Sequence, residues 1–253
     1  MARIDYDAAA ADYAHSRALS LEAMDGWREA VLRRLPSPDA GRALRIVDIG
    51  AGAGSFAYAF ATWFDASVAA VEPSAGMLRS ATSEYAHPRV AYVNADAHAL
   101  PLLDATCDVA WLSTVIHHFA DLDAAARETR RVLRDDGVAL VRSAFPGRHD
   151  GITLFRRFPG ASRVADSFPT LERTKEAFAR AGFRYDAIEA VPQVSAPSLR
   201  AFADRVRRRA DTTLTLMPED EYEACLAQLQ READAEREPQ PVIDYLDLVT
   251  FRA

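Results

Sequence analysis

Residues Arg45 to Phe56 read Arg-Ile-Val-Asp-Ile-Gly-Ala-Gly-Ala-Gly-Ser-Phe: an apolar run with one carboxylate, Asp48, near its end, then glycines at 50, 52 and 54. A strand that stops in such a turn, with a helix pattern following at once, brings backbone close to a ligand where a Cβ would collide. Asp48 and the glycines therefore point to a small-molecule site at the carboxyl end of a first strand. The glycines alone leave open a plain Gly-rich turn between two elements, so the reading has to be decided by the rest of the chain.

Working outward, the pattern alternates. Strands are expected at Arg45–Ile49, Ser67–Val71, Val90–Asn94, Cys107–Leu112 and Gly137–Ser143, with helices at Ser55–Phe64, Ser74–Tyr85 and Asp121–Leu133 between them. Continuous apolar strands separated by amphipathic helices mean an α/β fold, a parallel sheet covered on both faces. Upstream, Ile4 to Leu35 has apolar residues at helical spacing (Leu21, Met24, Val31, Leu35) and reads as two helices broken near Arg17 to Leu21; Pro36 to Gly41 ends them. Downstream, Ala144 to Pro169 mixes glycine and proline with Phe145, Phe155, Phe158 and Phe168 and is expected to be loop-rich, lying over the sheet edge. A helix at Leu171–Ala181, ended by Gly182, leads to a strand at Phe183–Val191. Two polar helices, Pro197–Asp211 and Pro218–Glu236, precede a last strand at Val242–Phe251. The charge-dense run Gln230 to Glu238 reads most simply as a solvated helix face, with an interaction tail as the alternative.

Composition narrows the function classes. A chain of 253 residues that is 49% hydrophobic can bury one large core. A net charge of -7, with pI near 5.4, argues against a nucleic-acid backbone partner, which needs a clustered basic surface. Cys107 and Cys225 are far apart, so no disulfide framework is expected. No segment has the length of a membrane span and the start of the chain lacks a basic region followed by an apolar one, so a cytoplasmic protein is expected.

The spacing of the glycines excludes two nucleotide classes. A dinucleotide fingerprint needs a third glycine three positions beyond the second, where Ser55 or Ala57 stands here. A P-loop needs Gly-Lys-Ser/Thr after the turn, and Lys175 is the only lysine. What fits instead is an acid at each of three successive strand ends: Asp48, Glu72 and Asp96, able to surround one ligand above the sheet.

These residues resemble the class I S-adenosylmethionine-dependent methyltransferases, and within them the small-molecule branch that includes the quinone-biosynthesis C-methyltransferases. The resemblance covers about Ile46 to Phe145 and rests first on Val-Asp-Ile-Gly-Ala-Gly-Ala-Gly, residues 47 to 54. It implies that Asp48, Gly50, Ala51, Gly52 and Gly54 contact the methionine part of the cofactor. Glu72, followed by Pro73 in Ala-Val-Glu-Pro-Ser-Ala-Gly-Met-Leu, is similar to the acid that takes the ribose hydroxyls, two acceptor oxygens facing a diol. Asp96 with Ala97, in Asn-Ala-Asp-Ala-His-Ala-Leu-Pro, resembles the motif that receives adenine, with Met77 against its face and Ser113 at the end of strand four. Tyr13 and Arg17, in the leading helix, would lie near the cofactor carboxylate. The plainer readings stay beside these: Glu72 holding the helix that starts at Ser74, Asp96 as a turn residue, Met77 as core, Arg17 as a surface arginine.

In Trp-Leu-Ser-Thr-Val-Ile-His-His-Phe, residues 111 to 119, the family places its catalytic variability. Leu112 to Val115 lacks the Asn/Asp-Pro-Pro-aromatic motif of enzymes that methylate DNA base amino groups, whereas His117 and His118 match a branch with histidine here. A histidine can take a proton from a substrate oxygen, nitrogen or acidic carbon; equally, the pair can simply pack at a helix start. Adjacent histidines do not face one ion, so no metal is expected. The resemblance implies a single Rossmann-like domain over 1–253, with a seven-stranded mostly parallel sheet whose last strand, 242–251, is antiparallel. Helices in 1–41 lie over the cofactor, 42–145 form the cofactor core, and 146–169 with 196–238 form a helical cap. The expected activity is methyl transfer to a small, apolar or aromatic metabolite of secondary metabolism by a monomer or homodimer. RNA or protein methylation, and a cofactor-binding protein that does not methylate, such as a cyclase, remain as alternatives.

Overall fold

The computed structural model describes residues 20–36 and 42–253. The expected leading helix, with Tyr13 and Arg17, lies outside the described residues. What is described begins with a 3-10 turn, Glu22–Met24, that runs into the helix Asp25–Leu32. Met24, Trp27, Ala30 and Val31 are buried, as the 3.6-residue spacing predicts.

Seven strands follow: β1 Arg45–Ile49, β2 Ser67–Glu72, β3 Val90–Asn94, β4 Cys107–Ser113, β5 Leu133–Ser143, β6 Arg184–Ala196 and β7 Val242–Arg252. They form one sheet in the order β3-β2-β1-β4-β5-β7-β6. The first five pair in parallel, and β7 inserts antiparallel between β5 and β6. The strand order reverses between β1 and β4, the two strands whose carboxyl ends carry Asp48 and Ser113. A crevice opens at such a switch point because successive connections leave to opposite faces of the sheet.

Each face buries its own apolar cluster. On one side Trp27, Phe56, Phe60 and Trp111 interlock, with ring centroids 4.8 Å apart for Phe56 and Trp111 and 6.0 Å for Trp27 and Trp111. On the other, Phe145, Phe178, Phe183 and Phe251 pack together with β5 residues such as Val141. Full burial of one such side chain contributes about 1.5–3 kcal/mol, so these rings anchor the helices to the sheet. The helices Ala75–Glu84 and Leu122–Val132 are capped by Ser74 and Asp121, whose side chains accept from Met77 N–H and Ala124 N–H.

Three readings of the second half need correction. Ala144 to Pro169 is not simply a loop: it folds into two short helices, Thr153–Arg157 and Pro159–Ala165. Helices of five and seven residues do not hold alone; the fully buried Phe158 between them supplies the packing. β6 runs on to Ala196 rather than stopping at Val191, because Pro192 sits on an edge strand bonded only to β7, where a missing N–H is tolerated. The expected helix Pro197–Asp211 ends as Leu199–Arg207; Arg209 adopts a positive φ and Asp211 caps a new short helix, Thr212–Leu216.

Candidate cofactor and acceptor site

The glycine turn leaves β1 by latching onto its neighbour: Gly50 N–H and Ala51 N–H both donate to the Val71 carbonyl, at 2.8 and 3.0 Å. All three glycines have positive φ, +73, +55 and +88 for Gly50, Gly52 and Gly54. Close approach of a ligand is the reason expected for all three. At two of the three the structure gives another cause. A Cβ on Gly50 would lie 2.3 Å from Val115 Cγ2, and one on Gly54 2.6 Å from Tyr92 Oη, so protein packing excludes it. Only at Gly52 would a Cβ meet no protein atom within 4 Å, and there the turn faces open cleft.

Glu72, buried at the end of β2, accepts from Gly52 N–H and from Ser74 N–H, both at 2.9 Å. It therefore does hold the helix start at Ser74, the plainer reading, and ties the glycine turn to β2 as well. A carboxylate has about four acceptor directions, so this bonding is compatible with a diol at the same oxygens. Asp96, half-exposed, accepts from His98 N–H at 2.8 Å, which is a turn contact, and its Oδ1 also meets the His98 ring. Met77 is buried and at the same time lines the cleft with Gly50, Gly52, Glu72, Pro73, Asp96, Ala97 and Ser113. Eight predicted positions thus come together around one depression. Tyr13 and Arg17 lie outside the described residues.

Asp48 is 1% exposed, and its Oδ2 has no hydrogen-bond partner among the described residues. Burial pushes its carboxyl up to about 8, the Glu72 carboxylate adds to the rise, and a hydrogen bond from the Ala57 N–H works against it. A lone buried carboxyl oxygen on the cleft wall, beside a glycine turn with space in front of it, fits a ligand that brings a cationic group.

His117 and His118 lie on a 3-10 turn, Ile116–His118, just past β4. The His117 ring is stacked on Phe168, centroids 4.0 Å apart and planes 9° from parallel, with His118 at 4.0 Å on another side. Both histidines and Ser113 line the cofactor-side cleft and also a second cavity, which shares Gly50 and Gly52 of the glycine turn with the first and is the one that Asp48 lines. That cavity is walled by Ile152, Leu154, Phe155 and Phe168 from the cap and by Leu214 and Leu246. Of the four cap phenylalanines, Phe155 and Phe168 line it, while Phe145 and Phe158 are core.

Sequence reasoning missed a polar wall in this cavity. Arg142, 7% exposed at the end of β5, donates to Ser113 Oγ at 3.1 Å and to Gln193 Oε1 at 2.5 Å, and lies over the Trp27 ring. Gln193 also accepts from Trp27 Nε1–H at 3.0 Å. Nearby, Asp244 accepts from Ser195 Oγ–H and from Thr153 N–H. It missed as well the brace behind Asp96: Arg131 donates to the Leu100 and Leu102 carbonyls, Glu128 accepts from Leu100 N–H, and His98 Nε2 accepts from Asp121 N–H at 3.2 Å. These partners sit 23 to 166 residues apart, so no local motif announces them. Among the described residues no group of three metal-ligating side chains occurs, and no helix is long and apolar enough to cross a membrane.

A doubly wound sheet with an inserted antiparallel last strand, a glycine turn at the switch point and acids at three successive strand ends defines a Rossmann-like domain built for a nucleoside-bearing cofactor. Comparison with known proteins narrows this class. Residues 47–141 match the family described as a methyltransferase domain. The chain is 36% identical over 123 residues to a demethylmenaquinone methyltransferase of Roseiflexus castenholzii, covering 48% of this chain and 50% of that protein. It is 32% identical over 179 residues to a malonyl-[acyl-carrier protein] O-methyltransferase of Geobacter sulfurreducens, covering 65% of each. The chain thus spans about half the length of the first of these curated relatives and two thirds or less of the second. In structure it resembles a protein described as a methyltransferase from an antibiotic biosynthesis pathway of Anabaena variabilis, with TM-score 0.71, 23% identity and 94% and 99% of the two chains covered. Over residues 47–141 the chain therefore resembles the class I S-adenosylmethionine-dependent methyltransferases, the quinone-biosynthesis enzymes among them, and its fold is like that of a solved methyltransferase.

Proposed function

We propose that this protein transfers the methyl group of S-adenosylmethionine to a small metabolite held under the helical cap. The observation that carries the reading is the pair of adjoining depressions: one edged by Glu72, Asp96 and Met77, the other by apolar cap residues and Asp48, with Gly52, Ser113 and His117 common to both. When bound, the cofactor supplies an electrophilic methyl group on a sulfonium centre. The chain's own residues have the remaining tasks. Glu72 would hold the ribose diol, Asp96 and Ala97 the adenine edge, Met77 its face, and Asp48 with the backbone around Gly52 the methionine end. The cap residues Ile152, Leu154, Phe155 and Phe168 would exclude water and hold the acceptor in line.

His117 is the candidate for taking a proton from the acceptor. Stacking on Phe168 restricts its ring, and it borders both depressions. His118, exposed beside it, is the second candidate. The acceptor is expected to be apolar or aromatic in its body, and the Arg142–Gln193 wall suits a polar group at one end. Likeness to enzymes named for quinone precursors and a malonyl carrier supports a small-molecule or carrier-borne acceptor. A secondary-metabolic role in the cytoplasm, as monomer or homodimer and without a nucleic-acid partner, belongs to the same reading, with the net charge of -7 in its favour.

Calorimetric titration with S-adenosylmethionine tests the premise. Binding is expected, weakened at least tenfold by Asp48→Ala or Glu72→Ala; absence of binding heat would sink it. Release of S-adenosylhomocysteine on incubation with quinols, phenols and carboxylic acids then separates methylation from cofactor binding alone. Tight binding without release across that panel would favour a non-methylating protein.

A further inference from the structure

Asp48 is a buried acid of the cavity wall with a carboxyl oxygen that no hydrogen bond satisfies among the described residues. It occupies the fourth position of β1, in register with Ala70 of β2 and Trp111 of β4, neither of which carries an ionisable side chain. The groups around it are Glu72 from β2 and Tyr92 from β3, the Ala57 N–H at the start of the helix Ser55–Phe64, and Ser113, His117, His118 and Arg142 along the shared cavity wall. Glu72 accepts backbone N–H groups of the turn and the following helix at both oxygens. Asp48 has one oxygen without a partner among the described residues and is buried to 1%. A second ionised carboxylate there would lack both solvent and a hydrogen bond at Oδ2.

We propose that Asp48 holds a proton in the cofactor-free protein and surrenders it to solvent when the cationic methionine end of S-adenosylmethionine docks against it. The inference rests on the cofactor reading above. The balance is simple: the neutral carboxyl loses one proton to buffer, and the resulting carboxylate pairs with the ammonium-bearing end of the ligand, which S-adenosylhomocysteine shares. The raised position of the carboxyl, about 8, sets the pH window: the proton is present at neutral pH in the free protein and already lost above about pH 9. Cofactor affinity therefore rises about tenfold per pH unit below 8 and levels off above it.

The test is calorimetry of the full chain with S-adenosylmethionine and with S-adenosylhomocysteine at pH 7, in buffers of different ionisation enthalpy. About one proton released per ligand bound is expected for both, falling towards zero above about pH 9, with the release abolished in Asp48→Asn. Binding with less than a few tenths of a proton released, or with the same release in Asp48→Asn, overturns the proposal while leaving the cofactor reading intact. Absence of binding overturns the cofactor reading instead. Should Asp48→Asn fail to fold, carbon-13 NMR of the Asp48 carboxyl in the wild-type protein decides: a midpoint near 8 without ligand supports the proposal, and one below about 5 refutes it.

Discussion

Replacing Asp48 with asparagine should stabilise the cofactor-free protein at neutral pH, and the size of the effect follows from its burial. An acid raised from 3.8 to about 8 binds its proton more tightly in the native than in the unfolded chain. Its contribution to stability is therefore complete below about pH 4 and is lost progressively as pH rises towards 8, since the unfolded state releases the proton first. At pH 7 the interval from 3.8 corresponds to about 4 kcal/mol of lost stability, and at pH 5 to about 1–2 kcal/mol. Asparagine keeps an acceptor for the Ala57 N–H but buries an amide, at a cost of about 1–2 kcal/mol. The variant should thus match the wild type near pH 5 and exceed it at pH 7 by about 2–3 kcal/mol, or roughly 5–10 °C in Tm. Thermal unfolding monitored by circular dichroism without cofactor, from pH 5 to 8.5, reads this directly. A variant destabilised by the same amount at every pH would refute the reasoning, because Asp48 would then be ionised in the native state.

The two glycines of the turn should separate stability from binding. Gly54→Ala drives a Cβ to 2.6 Å from Tyr92 Oη at a φ of +88 and should cost about 2–4 kcal/mol in urea unfolding. Gly52→Ala meets open space and should cost only about 1 kcal/mol, yet weaken S-adenosylhomocysteine binding more than tenfold. His98→Ala removes the ring that holds Asp96 and receives the Asp121 N–H, and should weaken S-adenosylhomocysteine binding about tenfold by calorimetry while leaving Tm within about 3 °C. His117→Ala should leave cofactor affinity within about threefold and lower methyl transfer by 10²-fold or more, on the order of a lost general base. Unchanged release of S-adenosylhomocysteine would remove His117 from that role.

The first half of the fold was legible because its signals are local. The bounds expected for β1, β3 and the helix Ser55–Phe64 agree with the structure residue for residue. Buried parallel strands are runs of Val, Ile and Ala, and Gly, Pro and capping Ser or Asp punctuate them. The second half obeys longer-range rules. Pro192 reads as a strand end until β6 is seen to be an edge, and Thr153–Arg157 reads as loop until Phe158 is seen to be buried. The cap helix divides at Arg209, whose positive φ has no mark in the residue type.

The site divides the same way. Asp48, Glu72, Asp96 and the three glycines were decided by the sequence itself, since each stands at the end of a strand that its neighbours predict, and strand ends in a parallel sheet converge. What those residues do to one another was decided only by tertiary structure. The packed sheet brings the Glu72 carboxylate near Asp48 and leaves one Asp48 oxygen without a partner among the described residues, and burial then shifts its proton equilibrium. Arg142, Gln193, Ser195 and Asp244, from three different strands, form the polar wall of the cavity under the cap because β7 inserts between β5 and β6. A side chain's identity is a property of the chain, but its charge and company depend on which distant segments exclude water from it.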